Sequence, residues 1–117
     1  MSRDFQDYAR FFRPGFLPWL NANWAIYDAF EQQALRLIRK EWKRFSARTI
    51  VEELRHYTRH REAGQCSLKI NDHAAPDLAR VFTILHPQYA RFWEYRRPDW
   101  PEFLQAIGIT PTNEKAP

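Results

Sequence analysis

The stretch from Trp24 to Phe45 constrains the fold more than any other part of this chain. At 100° per residue, Tyr27, Phe30, Ala34, Leu37, Ile38 and Phe45 fall on one arc, flanked by Ile26, Leu35 and Trp42. A helix with such a face is stable only when other elements cover it, because propensity alone rarely holds a helix in water. The pattern predicts a helix over about 24–44, with Asn21 or Asn23 as its N-cap, and it requires partners for Tyr27 and Phe30.

Those partners are readable downstream. Ser46 has the chemistry of an N-cap for a second helix, Ala47 to about His60, in which Ala47, Ile50, Val51, Leu54 and Tyr57 share an arc. Only Phe45 and Ser46 separate the two, which predicts a tight corner. A third helix, about Pro76 to Leu85, buries Leu78, Val81, Phe82 and Leu85 and stops before Pro87, since the residue preceding a proline avoids the α region. A fourth piece, Gln88 to about Arg96, turns Tyr89, Phe92 and Trp93 inward and ends at Pro98. Asp99-Trp100-Pro101-Glu102 has the form of a capping box, opening a short docking helix with Phe103, Leu104 and Ile107 that Gly108 closes.

Residues 1–20 predict a short helix to about Phe12 and then an irregular apolar strap broken by Pro14-Gly15 and Pro18. Cys66-Ser67-Leu68-Lys69-Ile70 alternates as a half-buried strand does. No internal repeat is evident. The expected fold is mainly α: a compact bundle of four to five helices with at most a short β element near 66–70. Residues 1–108 form one helical domain in this reading, and 109–117 a flexible C-terminal tail.

Composition narrows the class. A chain of 117 residues suits one core, and the nine Phe, five Tyr and five Trp supply large buried areas. The sequence has no apolar run of membrane-spanning length, and Met1-Ser2-Arg3-Asp4-Phe5-Gln6-Asp7 has no secretory-type apolar segment. With Cys66 as the lone cysteine, a reducing cytoplasm is the expected setting.

Charge placement is the main functional signal. Residues 36–61 hold nine Lys or Arg against three Glu, an excess of six, whereas the whole chain carries +4. On the first helix Arg36, Arg39, Lys40, Lys43 and Arg44 fill the arc opposite the core, and their i,i+4 neighbours are all like-charged, which costs a few tenths of a kcal/mol per pair. Arg48, Glu52, Arg55 and Arg59 run down the second helix. The bland reading is a solvated face whose cations complement the helix C-terminus. The functional reading is an anion-binding edge made of Arg36, Arg39, Lys40, Lys43, Arg44, Arg48, Arg55 and Arg59.

Catalytic and metal chemistry is hard to assemble from this sequence. His56 and His60 have zinc-compatible spacing, but no Glu follows the first His and Arg59 repels a cation, so a surface pair is the better reading. His73 beside Asp72, His86, and Cys66 in its alternating apolar run carry no defined geometry. Gly15, Gly64 and Gly108 stand in no phosphate-cradling motif. No cofactor, metal or catalytic residue is expected, and an enzyme is the least favoured class.

Two binding modes remain. One is nucleic-acid binding, preferentially DNA, through the basic helix-corner-helix edge, with a poorer helix-turn-helix alternative at His86-Pro87-Gln88 that presents Gln88, Arg91 and Tyr95. The other is a protein-binding module docking on an acidic or nucleic-acid-processing partner, since Trp, Tyr and Arg dominate interface hot spots. The run from Phe45-Ser46-Ala47-Arg48 through Ile70-Asn71-Asp72 to His86-Pro87, about half the chain, resembles small uncharacterised proteins of phages and bacterial mobile elements. That resemblance implies an accessory or anti-defence role exercised by binding.

Overall fold

The computed structural model describes residues 5–61, 74–94 and 100–109, with side chains through Arg55 in the first of these segments. The described residues are mainly helical, with no strand. Five α-helices, α1 (Phe16–Ala22), α2 (Trp24–Arg39), α3 (Ala47–Arg61), α4 (Ala74–Leu85) and α5 (Trp100–Ala106), are joined by two 3₁₀ helices, Gln6–Phe11 and Pro87–Phe92. This is the expected α-helical bundle. The segment 66–70 and the tail beyond Ile109 lie outside the described residues. Ile109 itself packs against the core, its N–H donating to the Leu104 carbonyl at 2.8 Å.

Helix α4 is the hub. Ala74, Ala75, Leu78, Ala79, Val81, Phe82 and Thr83 are all buried, and a helix apolar on nearly every side must sit at the centre of a core. It packs against α2, α3 and the second 3₁₀ helix. From α2 come Ile26, Tyr27, Phe30, Ala34 and Leu37, and from α3 Ile50 and Val51, as the periodicity requires.

Two charged residues share this interior. Asp77 and Arg80, one turn apart on α4, are both essentially inaccessible, with Arg80 Nη1 donating to Asp77 Oδ1 at 3.1 Å. The other carboxylate oxygen accepts the Arg13 N–H at 3.4 Å, and the guanidinium lies 5.3 Å from the Trp100 ring centre and 5.7 Å from that of Phe103. The pair therefore ties the N-terminal turn and α5 to the central helix.

The segment 13–20 is not an irregular strap. Gly15, at φ 87°, turns the chain without a Cβ penalty, and Phe16–Ala22 is helical. Pro18 stands in the first turn, where its missing N–H costs nothing. Asn23 joins α1 to α2 differently from a side-chain N-cap: its Nδ2 donates back to the Trp19 carbonyl at 2.8 Å, satisfying the end of α1.

The expectation of no internal repeat does not hold, because two short segments share both sequence and shape. Tyr8-Ala9-Arg10-Phe11-Phe12 and Tyr89-Ala90-Arg91-Phe92-Trp93 close the two 3₁₀ helices in the same shape. Each Tyr departs from helical geometry alike (φ −114°, ψ 18° and φ −109°, ψ 24°), and each final aromatic is extended (ψ 150° and 146°). Arg13-Pro14-Gly15-Phe16 and Arg97-Pro98-Asp99-Trp100 follow, then Trp19-Leu20-Asn21-Ala22 and Phe103-Leu104-Gln105-Ala106. The spacer between the paired blocks is three residues longer in the second copy. A 3₁₀ helix feeding a short aromatic helix is thus used at both ends of the fold. The expected fourth helical piece, Gln88 to about Arg96, is present as the 3₁₀ helix Pro87–Phe92 and ends earlier, at extended Trp93.

Removing one partner of a buried ion pair strands the other charge. Asp77→Ala should lower the unfolding free energy in urea by about 3–5 kcal/mol, whereas the apolar double replacement Asp77→Leu with Arg80→Met should cost much less. A double variant as unstable as the single one would overturn the ion-pair account.

Candidate nucleic-acid interface

The basic edge has a different backbone from the continuous helix its periodicity predicts. Helix α2 ends at Arg39, and a seven-residue corner, 40–46, leads to α3. The corner begins as a Schellman motif: the Glu41 N–H donates to the Ile38 carbonyl at 2.8 Å and the Trp42 N–H to that of Leu37 at 3.1 Å. Glu41 occupies the left-handed position usually given to Gly, at φ 70°. The two helices therefore meet through seven residues instead of the tight Phe45-Ser46 corner expected, and Lys40, Lys43 and Arg44 lie on that corner instead of on a helix. A continuous helix would have stacked Arg39 on Lys43 and Lys40 on Arg44, and the break removes both like-charged pairings.

Three contacts hold the far side of the corner. The Phe45 N–H donates to the Phe92 carbonyl at 2.9 Å, and the Glu94 N–H to the Phe45 carbonyl at 3.2 Å, a single parallel bridge between Phe45 and Trp93. Ser46 caps α3 as its sequence position suggests, Oγ accepting the Thr49 N–H at 3.4 Å. Gln33 of α2 donates to Glu53 of α3 at 3.3 Å, bracing the two helices beside the corner.

The eight cations fall into three groups. Arg36 and Arg39 are exposed in the last turn of α2, where they also complement its dipole. Lys40, Lys43 and Arg44 are exposed on the corner itself, and Lys43 and Arg44 are beyond the helix end whose dipole they would otherwise serve. On α3, Arg48 pairs with Glu52 at 3.3 Å, Arg55 is half-buried, and Arg59 lies on described backbone with its side chain outside the described residues. The structure thus groups the first six around the corner and sets Arg55 apart from this exposed group.

Sequence periodicity missed the most informative residue. Trp42, placed by a continuous helix at the edge of the core, is 52% exposed and is the exposed large hydrophobic among the described residues. It stands between Lys40-Glu41 and Lys43-Arg44, its ring 5.4 Å from that of Phe45 and nearly perpendicular to it. The signal available in the sequence was polarity: from Arg39 to Arg44, Trp42 is the lone apolar residue among charges.

Other places offer less. His86 Nε2 lies 2.8 Å from Glu31 Oε2, which also accepts the Tyr27 hydroxyl at 3.0 Å, a part-buried trio that staples α4 to α2. The cleft lined by Arg13, Gly15, Trp19 and Ala74 contains one carboxylate, Asp77, already engaged by Arg80. Pro87–Phe92 is a six-residue 3₁₀ helix, too short to serve as the recognition helix of a helix-turn-helix, and Tyr95 is outside the described residues. His73 and Cys66, with the side chains of His56 and His60, also lie outside them. Among the described residues no cluster of three His, Cys, Asp or Glu could hold a metal ion, and no helix is long and apolar enough to cross a membrane. Comparison with protein-family models, curated proteins and solved structures finds no match.

A non-Gly residue in the left-handed region carries a penalty of about 1 kcal/mol that Gly lacks. Glu41→Gly should therefore raise the urea unfolding free energy by about 0.5–1 kcal/mol while keeping the Schellman contacts, and a loss of stability would show that the Glu41 side chain itself supports the corner.

Proposed function

We propose that this protein binds nucleic acid, DNA foremost, through the α2–α3 corner. The observation that carries the reading is the joint exposure of Trp42 and the cations around it: Arg36, Arg39, Lys40, Lys43, Arg44 and Arg48. Exposed cations at this density repel one another and lower stability, so an anionic partner is the natural source of compensation. Arginines engage phosphate oxygens in pairs, and lysines act as mobile point charges along the backbone of the strand. Displacement of condensed counterions then supplies most of the affinity and makes it depend steeply on salt.

Glu41, Glu52, Glu53 and Glu94 temper this field without cancelling it, since six cations face four carboxylates on the segments that form the corner. The negative end of the α2 dipole and the positive end of the α3 dipole both flank the corner and offset each other, so the side-chain charges set the sign of the field. An acidic protein surface is the second reading, favoured by the same exposed Trp42, because Trp and Arg are the side chains that anchor protein interfaces.

The test is fluorescence anisotropy with labelled DNA, using the wild type and a variant carrying Arg36→Glu, Lys40→Glu, Lys43→Glu and Arg44→Glu, with folding checked by circular dichroism. If about four phosphates are neutralised, wild-type affinity should fall about a hundredfold between about 50 and about 200 mM salt. The folded variant should bind at least tenfold more weakly. A folded wild type that binds no DNA at low salt would overturn the reading.

A further inference from the structure

The charges on the corner explain attraction to any polyanion, but they do not explain Trp42. An indole that is half open to water gives up burial, and lysines or arginines alone would serve for phosphate contact. Its position is also fixed to an unusual degree for a surface ring. Trp42 meets Phe45 edge to face at 5.4 Å; Phe45 lies parallel to Phe92 at 6.4 Å; Phe92 contacts Trp93 at 4.8 Å; and Trp93 stacks on Phe30 at 5.4 Å in the core. A continuous series of aromatic contacts thus runs from the buried centre to the surface and ends at Trp42.

The backbone holds the same residue from the other side. The Trp42 N–H is committed to the Leu37 carbonyl, and the bridge to Trp93 anchors Phe45 three residues on. The backbone that carries this ring is thus held before any ligand arrives, and the edge-to-face contact with Phe45 supports one side of the indole, which favours a preorganised contact. A planar π-surface held among Lys40, Lys43 and Arg44 matches one ligand chemistry: a flat heterocycle joined to phosphates on both sides. Inside a duplex the base faces are already stacked on each other, so they are available only where a base is unpaired.

Resting on the nucleic-acid reading of the corner, we propose that Trp42 is a stacking platform for an unpaired base and that the preferred ligand is single-stranded DNA. In this arrangement the cations of the corner grip the phosphates on either side of the stacked nucleotide. Base stacking on an aromatic side chain tolerates sequence, so the preference is for strandedness rather than for a particular base.

The probes are an oligodeoxythymidine strand, the same strand with abasic positions, and a duplex of equal length, each titrated at low salt by anisotropy. Trp42→Ala should weaken binding to oligodeoxythymidine roughly tenfold and to the duplex less than twofold, with Trp42→Phe retaining most of the affinity. The abasic strand should bind the wild type more weakly than the intact one and should be indifferent to Trp42→Ala. Unfolding in urea serves as the control, since a residue this exposed should lose little stability on truncation. If Trp42→Ala leaves single-strand binding unchanged while the charge-reversal variant abolishes it, stacking is overturned and the electrostatic reading stands. Binding of neither strand nor duplex by the folded wild type overturns both.

Discussion

The pairing of Phe45 with Trp93 is the constraint on which the functional surface depends. Two backbone hydrogen bonds carry it, yet its strength comes from what Trp93 does on its own account. Trp93 is buried, stacked on Phe30 of α2 and set edge to face against Phe82 of α4, so its backbone position is dictated by the core. Phe45 inherits that position, and the corner between α2 and α3 is pinned at its far end. With the Schellman motif closing its near end, the backbone that carries Trp42 and its neighbouring cations is held at both ends.

The core that supports this arrangement is organised around α4, and the Asp77–Arg80 pair shows how. A buried ion pair is a costly way to stabilise a helix, because desolvation offsets most of the Coulomb gain. Here the same two groups reach three separate segments: the turn at Arg13, the rings of α5, and α4 itself. The two copies of the Tyr-Ala-Arg-Phe segment fit the same logic. Each delivers an extended aromatic residue after a 3₁₀ turn, but Phe12 packs near Phe5 and Phe16 whereas Trp93 enters the centre. A local shape is shared, and its surroundings give it different work.

Much of the scaffold was legible in the order of residues. The inward faces of α2 and α3, the Ser46 cap, the stop of α4 before Pro87 and the closure of α5 by Gly108 follow from periodicity and capping chemistry. The extent of α2 did not. Nothing between Arg39 and Arg44 is a Gly or a Pro, and Glu41 takes the left-handed position without a sequence signal. The candidate site was legible only as a list of cations; that Lys40, Lys43 and Arg44 lie on a loop around an exposed Trp was not. Likewise Asp77 and Arg80 carry no mark in the sequence that separates them from solvated charges.

By itself, therefore, the sequence determined what local physics can decide: which segments are helical, which face of each is apolar, and where positive charge accumulates. Those properties depend on spacing within about two turns of chain. Tertiary structure decided where α2 ends, which aromatic rings are buried and which is left in water, and which charges lie inside. These depend on segments far apart in sequence, Phe45 with Trp93 and Asp77 with Arg13, whose meeting is selected by packing of the whole core and by no pattern within either segment.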